Sequence, residues 1–315
     1  MTNKIAFLFP GQGSQFVGMG KDLYENYPAA KKVFDTADEV LGKSISKMCF
    51  EGPEDSLKQT VNTQPAIVTM SIAALEALKS KLNITPNYTA GHSLGEYCAM
   101  FCSGVMDLKT TLKAIQKRAS LMSEVKGGMM GAILNAPEGA VEEAIKEASK
   151  IGYVDIANYN SPVQVVLTGD EKAVQKAGEI LLEKGARRFV PLAVSGAFHS
   201  KYVENAGKEF DTFVKTLDLN DAKIPVITNV DAQETIAADE FKNKMPKQMY
   251  SSVHWTQTIQ KMVTNGVDTF VEIGPGKVLA GLNKKIAPEA KVYNIYDKES
   301  LENTINNLRE ELALV

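Results

Sequence analysis

The chain has 315 residues, enough to bury a large apolar core without disulfides or metal ions. Its 35 basic and 38 acidic residues give a formal charge of −3, which excludes the basic stripe of a nucleic-acid-binding protein and the polybasic patch of a membrane-surface protein. The three cysteines, Cys49, Cys98 and Cys102, form no CxxC pair and favour buried thiols in a reducing compartment. The first apolar run, residues 5–9, is too short for a signal peptide or a membrane span, so a cytoplasmic protein is expected.

The first third of the chain alternates apolar runs with helical periodicity. Residues 5–9 predict a buried parallel strand that ends at Pro10, and residues 88–90 predict a second strand. Asp107 is placed to cap a helix, because apolar residues follow it at intervals of three and four, and Arg118 lies on the shoulder of that apolar stripe. The stripe consists of Leu108, Leu112, Ile115, Ala119 and Met122, and the other predicted helices occupy 29–41, 64–81 and 96–101.

The middle of the chain predicts a small inserted subdomain. After Gly127 and Gly128 the pattern is strand, helix, strand, strand, helix, strand, which is the order of a ferredoxin-like unit. The chain leaves this unit near Ser195. We therefore expect residues 128–194 to form the insertion and residues 1–127 and 195–315 to form the larger domain. The predicted strands are 130–134, 153–157, 164–168 and 188–194, and the predicted helices are 138–149 and 171–183.

The last third returns to alternating helices and strands. Such alternation predicts an α/β fold with a mostly parallel sheet covered on both faces. The predicted helices are 200–217, 256–265, 277–286 and a terminal one from residue 299, and the predicted strands are 224–228, 269–273 and 292–295.

The sequence GHSLG at positions 91–95 is the most informative motif. It places a serine between two glycines where a predicted strand gives way to a predicted helix. The turn forces its central residue into strained backbone geometry and lifts the serine hydroxyl to the helix N-terminus. Free N–H groups there favour a developing negative charge. The motif therefore predicts that Ser93 is a nucleophile.

A serine hydroxyl needs a base that takes its proton, and the chain offers three histidines. His92 adjoins Ser93, and adjacent side chains on a tight turn point apart. His254 lies near a predicted helix start. His199 follows the last strand of the insertion, and the order serine then histidine matches α/β-hydrolase-type sites. We therefore favour His199 as the base.

The glycine-rich loop PGQGSQ at 10–15 predicts part of an oxyanion hole. Such a hole needs a second backbone N–H besides that of Leu94, the residue after the nucleophile. The loop brings backbone amides close to a ligand because its glycines lack side chains. A nucleotide-binding loop fails on spacing, since Phe16 and Met19 stand where a glycine and a lysine are required. An ordinary turn is the remaining alternative.

No carboxylate or metal site stands out in the sequence. Asp155, Asp231 and Asp268 are all candidates for a third member of a catalytic triad, and spacing favours none of them. The histidines are far apart, and there is no HExxH motif or His/Cys cluster that would predict a metal site.

Five motifs occur in one order: FPGQGSQ at 9–15, GHSLGEY at 91–97, Arg118, GAFHS at 196–200 and VEIGPG at 271–276. Together, over nearly the whole chain, they resemble the malonyl-CoA:acyl carrier protein transacylases of type II fatty acid synthesis and the related acyltransferase domains of polyketide synthases. The resemblance implies an α/β-hydrolase-like core with a mostly parallel sheet and an inserted ferredoxin-like small subdomain.

The resemblance implies a dyad in which Ser93 is the nucleophile and His199 is the base. In this family a backbone carbonyl orients the histidine, and the matching position here is His254, where family members commonly carry glutamine. The N–H groups of Gln12 and Leu94 correspond to the oxyanion hole.

The resemblance also implies the substrate contacts. Arg118 matches the arginine that pairs with the free carboxylate of the malonyl group, which a planar guanidinium grips with two charge-assisted hydrogen bonds. An acetyl group would leave that arginine unpaired, a loss on the order of 1 to 3 kcal/mol. Asn160 lines the site, Phe198 is placed to block a branching methyl group, and Met122 is predicted to contact the substrate.

The activity implied is a ping-pong transfer of malonyl from malonyl-CoA to the phosphopantetheine thiol of acyl carrier protein, without a metal or an organic cofactor. We expect a monomer with no nucleic-acid or membrane partner. A serine thioesterase or esterase, a stand-alone acyltransferase of polyketide synthesis and a non-catalytic module are the alternatives. Candidates for the carrier-protein docking surface are Lys184, Arg187, Arg188, Lys284 and Lys285.

Overall fold

In the computed structural model, which describes residues 4–194 and 196–312, the strands form two separate sheets. In chain order the strands are β1 (Lys4–Phe9), β2 (Tyr88–Gly91), β3 (Met129–Leu134), β4 (Val154–Ser161), β5 (Gln164–Gly169), β6 (Arg188–Pro191), β7 (Val226–Ile227), β8 (Glu234–Thr235), β9 (Val267–Ile273) and β10 (Lys291–Ile295). The helices are α1 (Lys21–Asn26), α2 (Pro28–Leu41), α3 (Ile45–Glu51), α4 (Glu54–Leu57), α5 (Thr60–Lys81), α6 (Gly95–Cys102), α7 (Leu108–Glu124), α8 (Ala140–Ala148), α9 (Glu171–Glu183), α10 (Glu204–Val214), α11 (Ala238–Gln248), α12 (Trp255–Thr264), α13 (Val278–Ile286) and α14 (Lys298–Leu312).

The larger sheet has the order β10-β9-β1-β2-β7-β8 and is parallel at every neighbouring pair except β7 and β8. The predicted α/β fold with a mostly parallel sheet is confirmed. Because β1 and β2 are parallel neighbours, with Phe9 opposite Gly91, the loop after β1 and the turn after β2 leave the same edge of the sheet side by side. That edge brings the loop at 10–15 close to Ser93.

Both faces of the larger sheet are covered by apolar side chains. Phe7 and Phe9 of β1 belong to a cluster shared with residues of α2, α5 and α7, whereas Ala6 and Leu8 belong to a second cluster around Trp255. This division follows from the alternation of side chains along a strand. The sheet is therefore buried on both faces, as its apolar strands predict.

The smaller sheet is antiparallel, in the order β4-β5-β3-β6, and α8 and α9 pack on it. Leu167 of β5 and Leu181 of α9 are fully buried in the cluster between them. The chain enters and leaves this unit side by side, since Gly127 and Gly196 form an isolated parallel bridge. Ser195, the predicted exit residue, lies outside the described residues. The division of the chain at 127/128 and 194/195 stays a prediction.

Several element boundaries differ from those predicted. The predicted helix 200–217 begins as a 3-10 turn at Lys201–Val203 and ends at Val214, and the strand predicted at 188–194 ends at Pro191. The largest omission is α11. Its sequence is polar and contains Pro246, so it shows too few apolar residues to reveal a buried face. The short elements α1, α3, α4 and β8 are also absent from the prediction.

The helices show other features that the sequence predicts. Asp107 caps α7, its side chain accepting the N–H of Thr110 at 2.7 Å. The three cysteines are free and buried. Among the helices that the structure describes, none is long and apolar enough to cross a membrane.

Candidate active site

Ser93 lies in the turn between β2 and α6, where its φ of 51° places a non-glycine residue in the left-handed region. Close packing requires the glycines on both sides. A Cβ atom on Gly91 would lie 1.9 Å from the carbonyl carbon of Gly95, and one on Gly95 would lie 2.2 Å from the carbonyl oxygen of Phe9. The turn therefore has the geometry of the predicted nucleophile elbow.

His199 lies against the serine, with its Nε2 2.9 Å from the Ser93 hydroxyl oxygen. On the other side of the ring, Nδ1 lies 3.0 Å from the carbonyl oxygen of Gln248 and 3.0 Å from that of Ser251. Because both carbonyls only accept, Nδ1 carries the proton and Nε2 is left to accept the serine proton. The structure thus brings together the residues predicted as nucleophile and base.

The prediction that the backbone of His254 orients His199 is wrong. The carbonyls that hold the imidazole belong to Gln248, the last residue of α11, and to Ser251 in the turn that follows. The chain then continues to His254, whose ring stacks on Tyr159 of β4 with centroids 5.1 Å apart. The difference arises because α11, which the sequence did not predict, ends at Gln248 and is followed by a turn, and together they present the carbonyls of Gln248 and Ser251 to His199 before the chain reaches His254.

None of the three aspartates considered as triad members contacts His199. Asp231 instead pairs with Lys244 at 2.8 Å, and Asp155 and Asp268 accept hydrogen bonds from the residues that follow them. Within the described residues, the hydrogen bonds of the imidazole go to the serine hydroxyl and the two carbonyls. This is the geometry of a dyad.

The environment keeps His199 neutral. Burial, together with the nearby charge of Arg118 and the ring of His92, lowers the pKa of His199 from 6.5 to about 3. A neutral imidazole with a free Nε2 is the form that accepts a proton from serine. The base is therefore in its active state across the neutral and mildly acidic range.

We expect the rate constant for acylation of Ser93 to stay level from about pH 8 down to about pH 5. His199 becomes protonated in the folded protein only near pH 3, so the active form persists below its ordinary pKa of 6.5. Single-turnover acylation at saturating donor measures this profile. A decline with a midpoint near 6.5 would contradict it. Because the unfolded chain takes up this proton below pH 6.5 and the folded protein does not, the contribution of His199 to the free energy of unfolding falls as the pH drops below 6.5.

The loop after β1 packs against the elbow. Gly11 permits this approach, because a Cβ atom there would lie 2.8 Å from the carbonyl oxygen of His92, and the Ser14 hydroxyl donates to the Gly11 carbonyl at 2.8 Å. Within the described residues, the N–H groups of Gln12 and Leu94 donate no hydrogen bond. Unpaired N–H groups on two adjoining segments meet the need of an oxyanion hole. That role stays a prediction.

Arg118 is fully buried rather than at the edge of the apolar stripe of α7. Its guanidinium donates to the Gln64 side-chain oxygen at 2.7 Å, to the Gln248 side-chain oxygen at 2.9 Å and to the Ser93 hydroxyl oxygen at 3.0 Å. Burial lowers its pKa, but an arginine keeps its charge through such a shift.

No carboxylate of the described residues forms an ion pair with Arg118, and its Nε has no hydrogen-bond partner among them. A buried charge is normally paired, because removal from water is costly. Here neutral glutamine oxygens accept its N–H groups, and the buried carboxylate of Glu96 acts on the guanidinium through space without a hydrogen bond to it. The arrangement can therefore receive an anionic group next to the serine.

Gln64 and Gln248 are the site residues that sequence reasoning missed. Both are 1% exposed, and each accepts a hydrogen bond from Arg118. Gln64 lies in α5 and is the first residue of the helix predicted at 64–81; the available signal was a glutamine at the start of a run of small and apolar residues. Gln248 ends a helix that was not predicted.

The remaining predicted substrate residues, Met122, Asn160 and Phe198, each lie next to Ser93, His199 or Arg118 or contact a neighbour of one of them. Met122 is buried, and its sulfur accepts the Gln64 side-chain N–H at 3.5 Å. Asn160 is joined to Nε2 of His92 at 2.8 Å. Phe198, next to the base, is 5% exposed. Their contacts with substrate stay predictions.

Comparison with known proteins agrees with this site. A family model described as "Acyl transferase domain" matches residues 6–309. The malonyl CoA-acyl carrier protein transacylase of Bacillus subtilis is 44% identical over 313 residues, which cover 98% of each chain.

Solved structures give the same result. An acyl carrier protein S-malonyltransferase from Vibrio cholerae superposes with a TM-score of 0.92 at 38% identity, covering 96% of this chain and 100% of the other. A malonyl-transacylase solved in complex with a type II PKS acyl-carrier protein superposes with a TM-score of 0.94 at 35% identity, covering 97% and 100%. On the strength of this full-length similarity and the Ser–His–Arg site, the chain belongs to the malonyl-CoA:acyl carrier protein transacylases, within the acyltransferase-domain family.

Proposed function

We propose that the protein transfers the malonyl group from malonyl-CoA to the phosphopantetheine thiol of acyl carrier protein and so supplies fatty acid biosynthesis. The observation that carries this proposal is the buried guanidinium of Arg118, which lies 3.0 Å from the nucleophilic oxygen and has no carboxylate partner among the described residues. A free carboxylate next to a reactive thioester is the chemical feature of malonyl-CoA. The related transacylase solved with an acyl-carrier protein supports the acceptor.

The first half-reaction loads the serine. The Ser93 oxygen attacks the thioester carbon while its proton passes to Nε2 of His199, and the N–H groups of Gln12 and Leu94 bind the oxyanion. The carbon–sulfur bond then breaks, and the CoA sulfur takes the proton from His199. In the second half-reaction the phosphopantetheine thiol gives its proton to His199 and attacks the malonyl-serine ester, so that the serine oxygen leaves and recovers a proton.

Arg118 selects the acyl group in this scheme. Two parallel N–H donors of its guanidinium pair with the malonyl carboxylate, which supplies a directly hydrogen-bonded counter-ion. An acetyl group leaves the guanidinium without one. Phe198 stands beside His199 and restricts space for a methyl branch on the substrate.

Incubation with acyl-CoA donors, followed by intact-mass measurement, tests the function. We expect malonyl-CoA to add one malonyl group to the protein, which persists in buffer and moves to the carrier when holo-acyl carrier protein is added. Acetyl-CoA and methylmalonyl-CoA should label more slowly. Release of malonate to water at an unchanged rate, with or without the carrier, would instead identify a thioesterase.

The finer structural expectations belong to the same proposal. The antiparallel order β4-β5-β3-β6 with two helices supports a ferredoxin-like subdomain, and the elbow on a mostly parallel sheet supports an α/β-hydrolase-like core. We further propose a monomer that acts in the cytoplasm. Since a serine, an imidazole and a guanidinium account for every step, the reaction needs no metal or organic cofactor.

A further inference from the structure

Asn229, two residues after β7, touches the elbow at two points. Its side-chain Nδ2 donates to the carbonyl oxygen of Gly91 at 2.7 Å, and its Oδ1 accepts the N–H of Ser93 at 2.8 Å. The residue is 1% exposed. One amide group therefore binds the backbone on both sides of His92, on the tightest part of the turn.

The elbow needs such support because Ser93 is not a glycine. Its left-handed φ is unfavourable for a residue with a Cβ atom and persists only where the surroundings enforce it. The N–H of Ser93 is held by Asn229, and its carbonyl oxygen accepts the Gln248 side-chain N–H at 2.7 Å. Both peptide groups of the nucleophile are thus fixed by side chains from a different part of the chain.

Asn229 is itself held by Glu96. The Glu96 carboxylate accepts the backbone N–H of Asn229 at 2.6 Å, and the carbonyl oxygen of Asn229 accepts the N–H of His254 at 3.0 Å. Glu96 is 2% exposed and lies in the first turn of α6, directly after the elbow. The contacts form a closed ring from the elbow to Asn229, to Glu96 and back to the elbow.

We propose that Glu96 and Asn229 are positioning residues for the nucleophile. Glu96 holds Asn229, and Asn229 holds Ser93 in the left-handed conformation that aims its hydroxyl at His199. Neither residue contacts the serine hydroxyl. The inference rests on the proposed malonyl transfer only for its substrate, because the geometry concerns the serine itself.

The role predicts a loss of rate rather than of affinity. When the ring is broken, Ser93 relaxes away from its alignment with His199, while the hydrogen bond from Arg118 to Gln64, which involves no member of the ring, remains. Misplacement of a reacting atom by about 1 Å costs about 100-fold in rate. We therefore expect Glu96→Ala to slow single-turnover formation of malonyl-Ser93 by about 10- to 100-fold, with little change in KM for malonyl-CoA.

Two further variants separate hydrogen bonding from charge and from folding. Glu96→Gln keeps an oxygen that accepts the N–H of Asn229 and should recover most of the lost rate. Asn229→Asp keeps the size of the side chain and its acceptor for the Ser93 N–H, but it has no N–H for the Gly91 carbonyl. Acylation of Ser93 should therefore also be slow in Asn229→Asp. If Glu96→Ala does not fold, the acylation rate of Asn229→Asp tests the positioning role instead.

Glu272→Ala is the matched control. Glu272 is also a fully buried carboxylate that accepts backbone N–H groups, those of Leu279 and Ala280, but it belongs to β9 and holds the start of α13. Burial raises the pKa of both Glu96 and Glu272 to about 7. The Glu272→Ala substitution should lower the free energy of unfolding, while the folded variant acylates Ser93 at the normal rate.

The outcomes are distinct. Wild-type acylation rates in folded Glu96→Ala, an equal slowing in Glu272→Ala, or a Glu96→Gln variant as slow as Glu96→Ala would each overturn the proposal. A fluorophosphonate probe, which reacts with an activated serine without any malonyl group, is applied to the same variants. If the wild-type protein reacts with this probe but not with malonyl-CoA, the proposed function fails, and the probe series still tests the positioning role.

Discussion

Malonyl transfer falls by about 10⁵-fold or more when Ser93 is replaced by alanine, because the reaction loses the atom that carries the acyl group. Intact-mass measurement after incubation with malonyl-CoA should find no malonylated protein. The side chain is the sole change at the elbow, since the backbone N–H and carbonyl oxygen of residue 93 keep their partners on Asn229 and Gln248. The variant should therefore remain folded.

Ser123→Ala is the control for this result. Ser123 lies on α7, and its hydroxyl donates only to the Ser120 carbonyl one turn earlier. Its loss should leave labelling unchanged. Persistent malonylation of the Ser93→Ala protein would show that another residue is the nucleophile.

Replacing Arg118 with alanine should lower malonyl transfer by about 100- to 1,000-fold, the cost of truncating one partner of a buried charge pair. Acetyl transfer should be preserved or improved, because the acetyl group has no carboxylate to pair and the empty space accepts it. Rates of acylation by malonyl-CoA and acetyl-CoA, measured on the same preparation, give the ratio directly.

Two substitutions sharpen the test. Arg118→Lys keeps the charge but not the planar fork, so it should recover only part of the malonyl rate. Lys117→Ala removes the neighbouring cation, which pairs with Glu209 at 2.5 Å on the surface, and should change neither rate. Equal loss of malonyl and acetyl transfer in Arg118→Ala would mean that Arg118 supports the structure and not the selection.

Local chemistry explains what the sequence predicted. The elbow is visible because Gly91 and Gly95 are required by contacts within a few residues and with the neighbouring strand. The alternation of apolar strands and amphipathic helices likewise predicted the parallel sheet. The spacing of apolar residues within each segment is enough to show which of its faces is buried. Local spacing alone did not predict that His199 is the base for Ser93. That prediction also used the position of His199 after the last strand of the insertion and the order of serine and histidine along the chain.

The parts of the site that were missed depend on distant segments. Nothing near Arg118 in sequence indicates that Gln64 and Gln248 surround it, so its position on the shoulder of the α7 stripe suggested partial exposure rather than full burial. The error at His254 has the same origin. In this polar helix Phe241 and Met245 form only a short apolar stripe before Pro246, which is a weak signal, and the carbonyls that follow cannot be placed until the helix is known.

The hydrogen bond from Arg118 to the Ser93 oxygen has a consequence for the resting enzyme. Before substrate arrives, the serine directs its proton to His199 and receives an N–H from the guanidinium, so one of its lone pairs is occupied by a cation. An oxygen in that state is a weaker nucleophile. In the proposed transfer, a malonyl carboxylate draws the guanidinium to itself and frees the lone pair, whereas an uncharged acyl group leaves it engaged. The choice of acyl group thus depends on this hydrogen bond as well as on the charge of Arg118.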